Sequence, residues 1–229
     1  IELKSILRKV EKKGFDSIGT ILYGNSSYKL SEKVFEDNPE FEKRVPKSEK
    51  KALGSNAFDR YSELFYEKKR EDDDIAIYGR QNNSRIYKFL REKYICDGGN
   101  LYFWKVIVPG ANGSGIFGEE LSNPIIAGPK VGYTQTFISL GKFKTEYEAN
   151  ALLKYLKTKF ARTMLGIKKI TQNNKTAVTW SKVPLQDFTN SSDINWSKSI
   201  HDIDLQLYRK YELSQNEINF VEDKVKNMN

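Results

Sequence analysis

Leu101-Tyr102-Phe103-Trp104-Lys105-Val106-Ile107-Val108, stopped by Pro109-Gly110, is the stretch on which the fold turns. Aromatic and β-branched side chains suit a pleated surface, and Pro-Gly ends regular structure, so this run predicts a strand. Downstream, beyond a Gly-rich loop over 110–118, Pro124-Ile125-Ile126-Ala127 and Thr134–Leu140 read as two more strands, separated by Gly128-Pro129-Lys130 and Gly132. Upstream, Asp72-Asp73-Asp74 precedes a short strand, Ile75–Tyr78, and Gly79-Arg80-Gln81-Asn82-Asn83-Ser84 reads as a polar turn. Ile86–Tyr94 alternates poorly and fits a helical turn or a strand. The middle of the chain is therefore sheet.

Helices flank it. Thr145-Glu146-Tyr147-Glu148 is a capping box, in which the hydroxyl accepts from one exposed N–H while the glutamate reaches back to another. Behind it Ala149, Leu152, Leu153, Leu156, Phe160 and Met164 trace one face of a long helix over 145–165, stopped by Gly166, with Lys154, Lys157 and Lys159 opposite. Ser199 with Asp202, and Ser214 with Glu217, cap a pair of short helices over 199–227, joined near Glu212-Leu213. Leu3, Ile6, Leu7 and Val10 repeat at helical spacing, which predicts a helix over 2–13 ended by Gly14. Between Ser31 and Arg70 the chain is charged and broken by prolines, predicting long loops around one helix over 56–69. The expected class is α+β: a mixed or antiparallel sheet, one long packed helix and a C-terminal helical pair. The expected division is a domain over 1–182, with 1–14 as a lead-in helix, and a helical extension over 183–229 packed on it.

The chain has 229 residues and a formal charge of +8, with 13 Phe, 13 Tyr and 3 Trp to build a core. Its charge is uneven. Residues 81–182 hold 16 basic and 6 acidic side chains, against 17 and 16 in 1–80 and 5 and 8 in 183–229. A concentrated positive region attracts a polyanion by Coulomb energy and counterion release, and nucleic acid is the polyanion this favours; a solvated lysine-rich surface is the bland alternative. One cysteine, Cys96, and one histidine, His201, leave no internal disulfide and no zinc-finger set. No apolar run approaches the ~20 residues needed to span a bilayer. A chain that starts at Ile1 in an amphipathic stretch reads as a piece of a longer cytoplasmic protein.

Catalytic motifs fare poorly. Gly113-Ser114-Gly115-Ile116-Phe117-Gly118 spells G-x-G-x-x-G, but Glu119-Glu120-Leu121-Ser122-Asn123-Pro124 follows where a dinucleotide fold needs a helix, and Thr136–Leu140 holds no acid. The stretch reads better as a turn whose backbone N–H groups approach a phosphate or a base edge. Glu-x-Lys tripeptides at 11–13, 49–51, 67–69 and 222–224 follow no Pro-Asp partner, and a Lys/Glu-rich chain produces them by chance. Asp72–Asp74 reads as a solvated cluster before it reads as a metal site. His201 adjoins Asp202, which faces elsewhere on a helix, and no Gly-x-Ser-x-Gly occurs. Neither Asn38-Pro39-Glu40 nor Asn123-Pro124-Ile125 is the Asn-Pro-Pro-aromatic loop with which an adenine-amino methyltransferase grips a flipped base.

Several stretches carry a resemblance: Tyr102–Gly113; Gly141-Lys142-Phe143 followed by Glu148-Ala149 and Tyr155–Phe160; and Val183–Thr189. It runs on through Ser199-Ile200, Asp204, Leu207–Tyr211, Leu213-Ser214, Glu217-Ile218 and Phe220-Val221-Glu222. Together these resemble the C-terminal target recognition region of type II restriction–modification DNA methyltransferases of the adenine-N6 class, bifunctional restriction enzymes included. The resemblance spans 75–229 and, more loosely, 1–74. It implies a bacterial cytoplasmic module that reads double-stranded DNA without a catalytic site of its own. The methyl transfer, its S-adenosylmethionine and any cleavage would then belong to an upstream domain of the same parent chain. Base contacts are expected from Arg80, Gln81, Asn82, Asn112, Ser114 and Gln135, whose amides and guanidinium form paired hydrogen bonds or whose hydroxyl suits a base edge. Phosphate contacts are expected from Lys105, Lys130, Tyr133, Lys142, Lys168 and Lys169. The rival readings are a stand-alone metal-dependent endonuclease and an RNA- or protein-binding module.

Overall fold

The computed structural model describes residues 1–44, 51–111, 113, 115–169 and 171–228. In chain order, α1 (Glu2–Lys12) is followed by β1 (Leu22–Tyr23), β2 (Lys29–Leu30), α2 (Glu32–Asp37) and α3 (Ala57–Arg60). The strand-rich middle holds β3 (Asp74–Gln81), β4 (Ser84–Arg91), β5 (Ile95–Cys96), β6 (Trp104–Pro109), β7 (Ile125–Ala127), β8 (Val131–Tyr133) and β9 (Phe137–Phe143). Four helices close the chain: α4 (Glu146–Lys157), α5 (Lys159–Gly166), α6 (Ile200–Lys210) and α7 (Gln215–Lys224). The class is α+β, as expected, and no helix among the described residues is long and apolar enough to cross a membrane.

The decisive strand is β6, at the centre of an antiparallel sheet ordered β1-β9-β6-β7. Successive side chains of a strand point to opposite faces, and both faces of β6 are covered. Val106 and Val108, with Ile138 and Leu140 of β9, belong to a core shared with α1 and α4–α7. Ile107 and Phe137 belong to a second core, built from residues 28–41 and 53–65 and the three-stranded sheet β4-β3-β8. The sheet is thus a partition between two hydrophobic clusters. A third, two-stranded pairing joins β2 to β5.

Several expectations need correction. The central strand begins at Trp104 because Asp97 Oδ1 accepts the N–H groups of Gly99 (2.7 Å) and Leu101 (3.0 Å), curling residues before it into a turn. Val131–Tyr133, read as part of a glycine-punctuated break, is a strand parallel to β3, with Tyr78 opposite Tyr133. Gly132 lies close against β3: a Cβ there would be 2.9 Å from Ile77 Cδ1, which would have to shift. Residues 86–91 are strand, and the polar turn shrinks to Asn82-Asn83. The helix over 56–69 is one turn of α3 plus a 3₁₀ turn over Ser62–Leu64, because Tyr66 exchanges two backbone hydrogen bonds with Phe89 and must be extended. Part of the loop expected over 31–70 is helical instead, with Val34, Phe35 and Phe41 turned into the second core; residues 45–50 lie outside the described ones.

The long helix is two. At Thr158 the backbone is extended (φ −61°, ψ 149°), and its hydroxyl accepts the N–H of Ala161 at 3.1 Å to start α5. Asp204, one turn into α6, accepts the N–H groups of Lys159 and Phe160, both at 2.9 Å. A break costs little where a neighbouring helix supplies the missing acceptors. The expected boxes at Thr145/Glu148 and Ser214/Glu217 have both bonds in place, and Ser199 caps α6 through Asp202 N–H.

Candidate functional site

β3 and β4 form a hairpin whose tip is the two-residue turn Asn82-Asn83, with φ of 49° and 61°. Two left-handed residues in succession give the turn whose twist matches its strands, and asparagine tolerates that region better than other side chains. Because β8 runs parallel to β3, and the end of β6 meets the start of β9, the tip sits beside the β8–β9 connection and the first residue after the 104–110 stretch. An open groove of about 500 Å³ forms there. The hairpin contributes Arg80, Gln81, Asn82 and Asn83; the connection contributes Gln135 and Thr136. Asp59 of α3 and Asn56, which precedes that helix, line it as well, with Lys175.

The groove is held from below by backbone. Gln135 N–H donates to Leu53 O at 2.9 Å and Gly110 N–H to Thr136 O at 2.8 Å. Lys175 is seated by an Asx turn on Asn173 (2.8 Å), and its aliphatic stem crosses Gly110, where a Cβ would come within 2.6 Å of Cε. At the rim the exposed Arg80 donates to Asn83 Oδ1 at 3.3 Å, and Gln81 Nε2 donates to Asp59 Oδ1. Chemically the groove offers planar amides, the Arg80 guanidinium, the Lys175 ammonium and, among the described residues lining it, one acid. That set suits a hydrogen-bonding, partly anionic partner.

The twelve residues singled out by sequence divide sharply. Arg80, Gln81, Asn82 and Gln135 are brought together in this groove, whereas Asn112 and Ser114 lie outside the described residues. Three of the phosphate candidates are corrected. Lys105 is fully buried and donates to the carbonyls of Asn100 (2.9 Å), Phe103 (2.9 Å) and Gly128 (3.4 Å); burial pulls its ammonium down to about 8. Tyr133 is also fully buried, its hydroxyl donating to Tyr23 O and Gly24 O, and burial pushes it up to about 12. Lys169 is 6 % exposed and ion-paired with Glu119, which also accepts Gly115 N–H. Lys130 sits at the other end of β8 from the groove, donating to Asp72 O and Glu92. Lys142 is exposed near the far end of β9, over the Phe103 ring at 4.6 Å, and Lys168 is exposed after α5.

Lys175, Asp59, Asn56 and Asn83 were missed. Asn83 lay inside the quoted turn, and Lys175 sits in Thr171-Gln172-Asn173-Asn174-Lys175-Thr176, as polar a run as the hairpin tip. Nothing in spacing could have joined residues 56–59 to 80–83 and 175. The remaining motifs stay dispersed. Among the described residues no three His, Cys, Asp or Glu side chains converge to hold a metal. In the triple aspartate, Asp74 turns inward to accept the N–H groups of Arg70 and Glu71, Asp73 meets Arg91 at 3.2 Å, and Asp72 is exposed.

No protein-family model and no curated protein matches the chain. Among solved structures it is similar to the type IIG restriction endonuclease BpuSI, at 12 % identity and a TM-score of 0.42, over 97 % of this chain and 32 % of that one. The chain therefore spans about a third of that enzyme's length.

Proposed function

We propose that this chain is a sequence-specific reader of double-stranded DNA, presenting the β3–β4 hairpin tip and its groove to base edges. The observation that carries the reading is the convergence of Arg80, Gln81, Asn82 and Gln135 on one open concavity. A two-stranded ribbon fits the ~12 Å major groove. Planar amides and guanidiniums form the bidentate hydrogen bonds that separate one base pair from another. Lys175, on the rim, supplies a phosphate contact that positions without specifying. Lys142 and Lys168 remain candidates for the same role farther from the tip. The sequence resemblance extends the reading: the chain would be the target recognition region of a restriction–modification adenine-N6 methyltransferase. Its domain over 1–182 would do the reading and 183–229 would brace it. An upstream domain of the same parent would bind S-adenosylmethionine and transfer the methyl group.

Selection of random-core duplexes by the chain at two salt concentrations tests this. The expected result is a short enriched motif whose binding also falls with salt. Salt-sensitive binding with no motif would leave a non-specific polyanion binder, and preference for single-stranded RNA over duplex DNA would overturn the assignment.

A further inference from the structure

Gln81 Nε2 donates to Asp59 Oδ1, tying the last residue of β3 to the exposed face of α3. We infer that Asp59 is a positioning residue that fixes the Gln81 amide for bidentate reading of an adenine in the major groove; this rests on the DNA-reading assignment above. The two ends of a glutamine amide are nearly equal in size and opposite in hydrogen-bonding sense. A free amide at a groove rim can present either. A carboxylate offers only acceptors, so beside Asp59 the nitrogen must turn toward it. With one N–H held, the side chain keeps one N–H and its carbonyl oxygen. That donor–acceptor couple is complementary to adenine, whose N7 accepts and whose N6 amino group donates on the major-groove edge.

Charge points the same way. Asp59 is the one acid among the described residues lining a groove that also holds Arg80 and Lys175. A carboxylate close to a DNA surface repels phosphates and weakens binding that is only electrostatic. Its presence costs affinity for every duplex alike and is offset where the held amide meets its base, which is how a repulsive element creates discrimination. Asp59 is exposed, so replacing it leaves no buried partner unsatisfied and the fold intact.

The test uses the whole chain, the best duplex from selection, and the same duplex with each adenine replaced in turn by 7-deazaadenine, which lacks the N7 acceptor. In the parent chain one such replacement should weaken binding about tenfold, the size of one bidentate contact. In Asp59→Ala and in Gln81→Ala that penalty should fall below about twofold, while Asp59→Ala binds scrambled duplexes more tightly than the parent does. Asp59→Asn, which keeps an acceptor without the charge, should retain part of the penalty while sharing the gain on scrambled duplexes. A purely structural defect would weaken scrambled and selected duplexes together. An unchanged 7-deaza penalty in Asp59→Ala, or no sensitive adenine in the parent, overturns the inference while leaving DNA reading in place. Absence of any selected motif removes the reading and the inference with it.

Discussion

On the helical side of the partitioning sheet three cations turn inward, whereas at the hairpin end Arg80 turns outward. Lys154 donates to the carbonyls of Trp196 and Lys198, Lys159 to Glu222, and Arg162, 2 % exposed, to the carbonyls of Lys157, Gly118 and Lys226. Arg80, by contrast, is exposed beside a turn of two asparagines. Lys154, Lys159 and Arg162 belong to the basic segment 81–182, and Arg80 stands just before it. A lysine that donates to carbonyls inside the fold is counted in net charge but offers little to a polyanion outside it, since its donors are already committed. Much of the positive charge of residues 81–182 is structural, and the outward part is concentrated at a few positions.

The largest expected effect would break this comparison if it failed. Lys105→Ala leaves the carbonyls of Asn100, Phe103 and Gly128, the first buried and the others part-buried, without their donor, and an acceptor left buried and unpaired costs about 1–3 kcal/mol. Urea unfolding should show a loss on the order of 3–5 kcal/mol. Unchanged stability with weaker DNA binding would return Lys105 to the list of phosphate contacts.

Asp204, at the junction of α5 and α6, gives the next effect. Burial raises its carboxyl to about 6, although it accepts two backbone N–H groups that favour the charged form. The folded state therefore keeps a proton that an unfolded aspartate releases near ~3.9. Between those values the folded chain binds more protons, and stability falls as pH rises from about 4 to about 6. Measured against Asp204→Asn, the parent should lose about 2–3 kcal/mol across that interval. A flat difference would mean that the carboxyl is as well solvated as one at the surface.

On the proposed DNA-reading function, effects at the hairpin end fall on recognition. Arg80→Ala and Gln135→Ala should each lower discrimination between selected and scrambled duplexes by about 1–3 kcal/mol, read by competition binding. Equal losses on both duplexes would sink those assignments. Lys175→Ala should weaken all duplexes alike and reduce the salt slope by about 1. Smallest of all is Lys130→Ala: with its ammonium held by Asp72 O and Glu92 at the far end of β8, DNA affinity should change by less than about 0.5 kcal/mol. A uniform loss there would extend the contact surface well beyond the groove.

How legible this was in the sequence depended on the range of the cause. The capping boxes at Thr145/Glu148 and Ser214/Glu217 were readable because a cap is built from residues three apart. The break at Thr158 was not, because the acceptor that stabilises it is Asp204, 44 or more residues away. Val131–Tyr133 was hidden for the same reason: its glycine looks like a turn residue until Ile77 is placed against it. Among the residues lining the groove, Arg80, Gln81 and Asn82 were legible as a polar turn, while Lys105 and Tyr133 looked like contacts because nothing local shows that a side chain in a strand is covered on its own face.

By itself, the sequence determined the α+β class, the first and the last two helices, the central strand near Trp104–Val108 and a polar turn within 79–84. Each follows from periodicity, capping or turn chemistry within a few residues. Only the tertiary structure decided which cations are spent inside, that β8 lies parallel to β3, and that Asp59, Gln81, Gln135 and Lys175 share one groove. Those outcomes depend on contacts between segments tens of residues apart. Local propensity carries no record of them, because the free energy that fixes them arises when the surfaces meet.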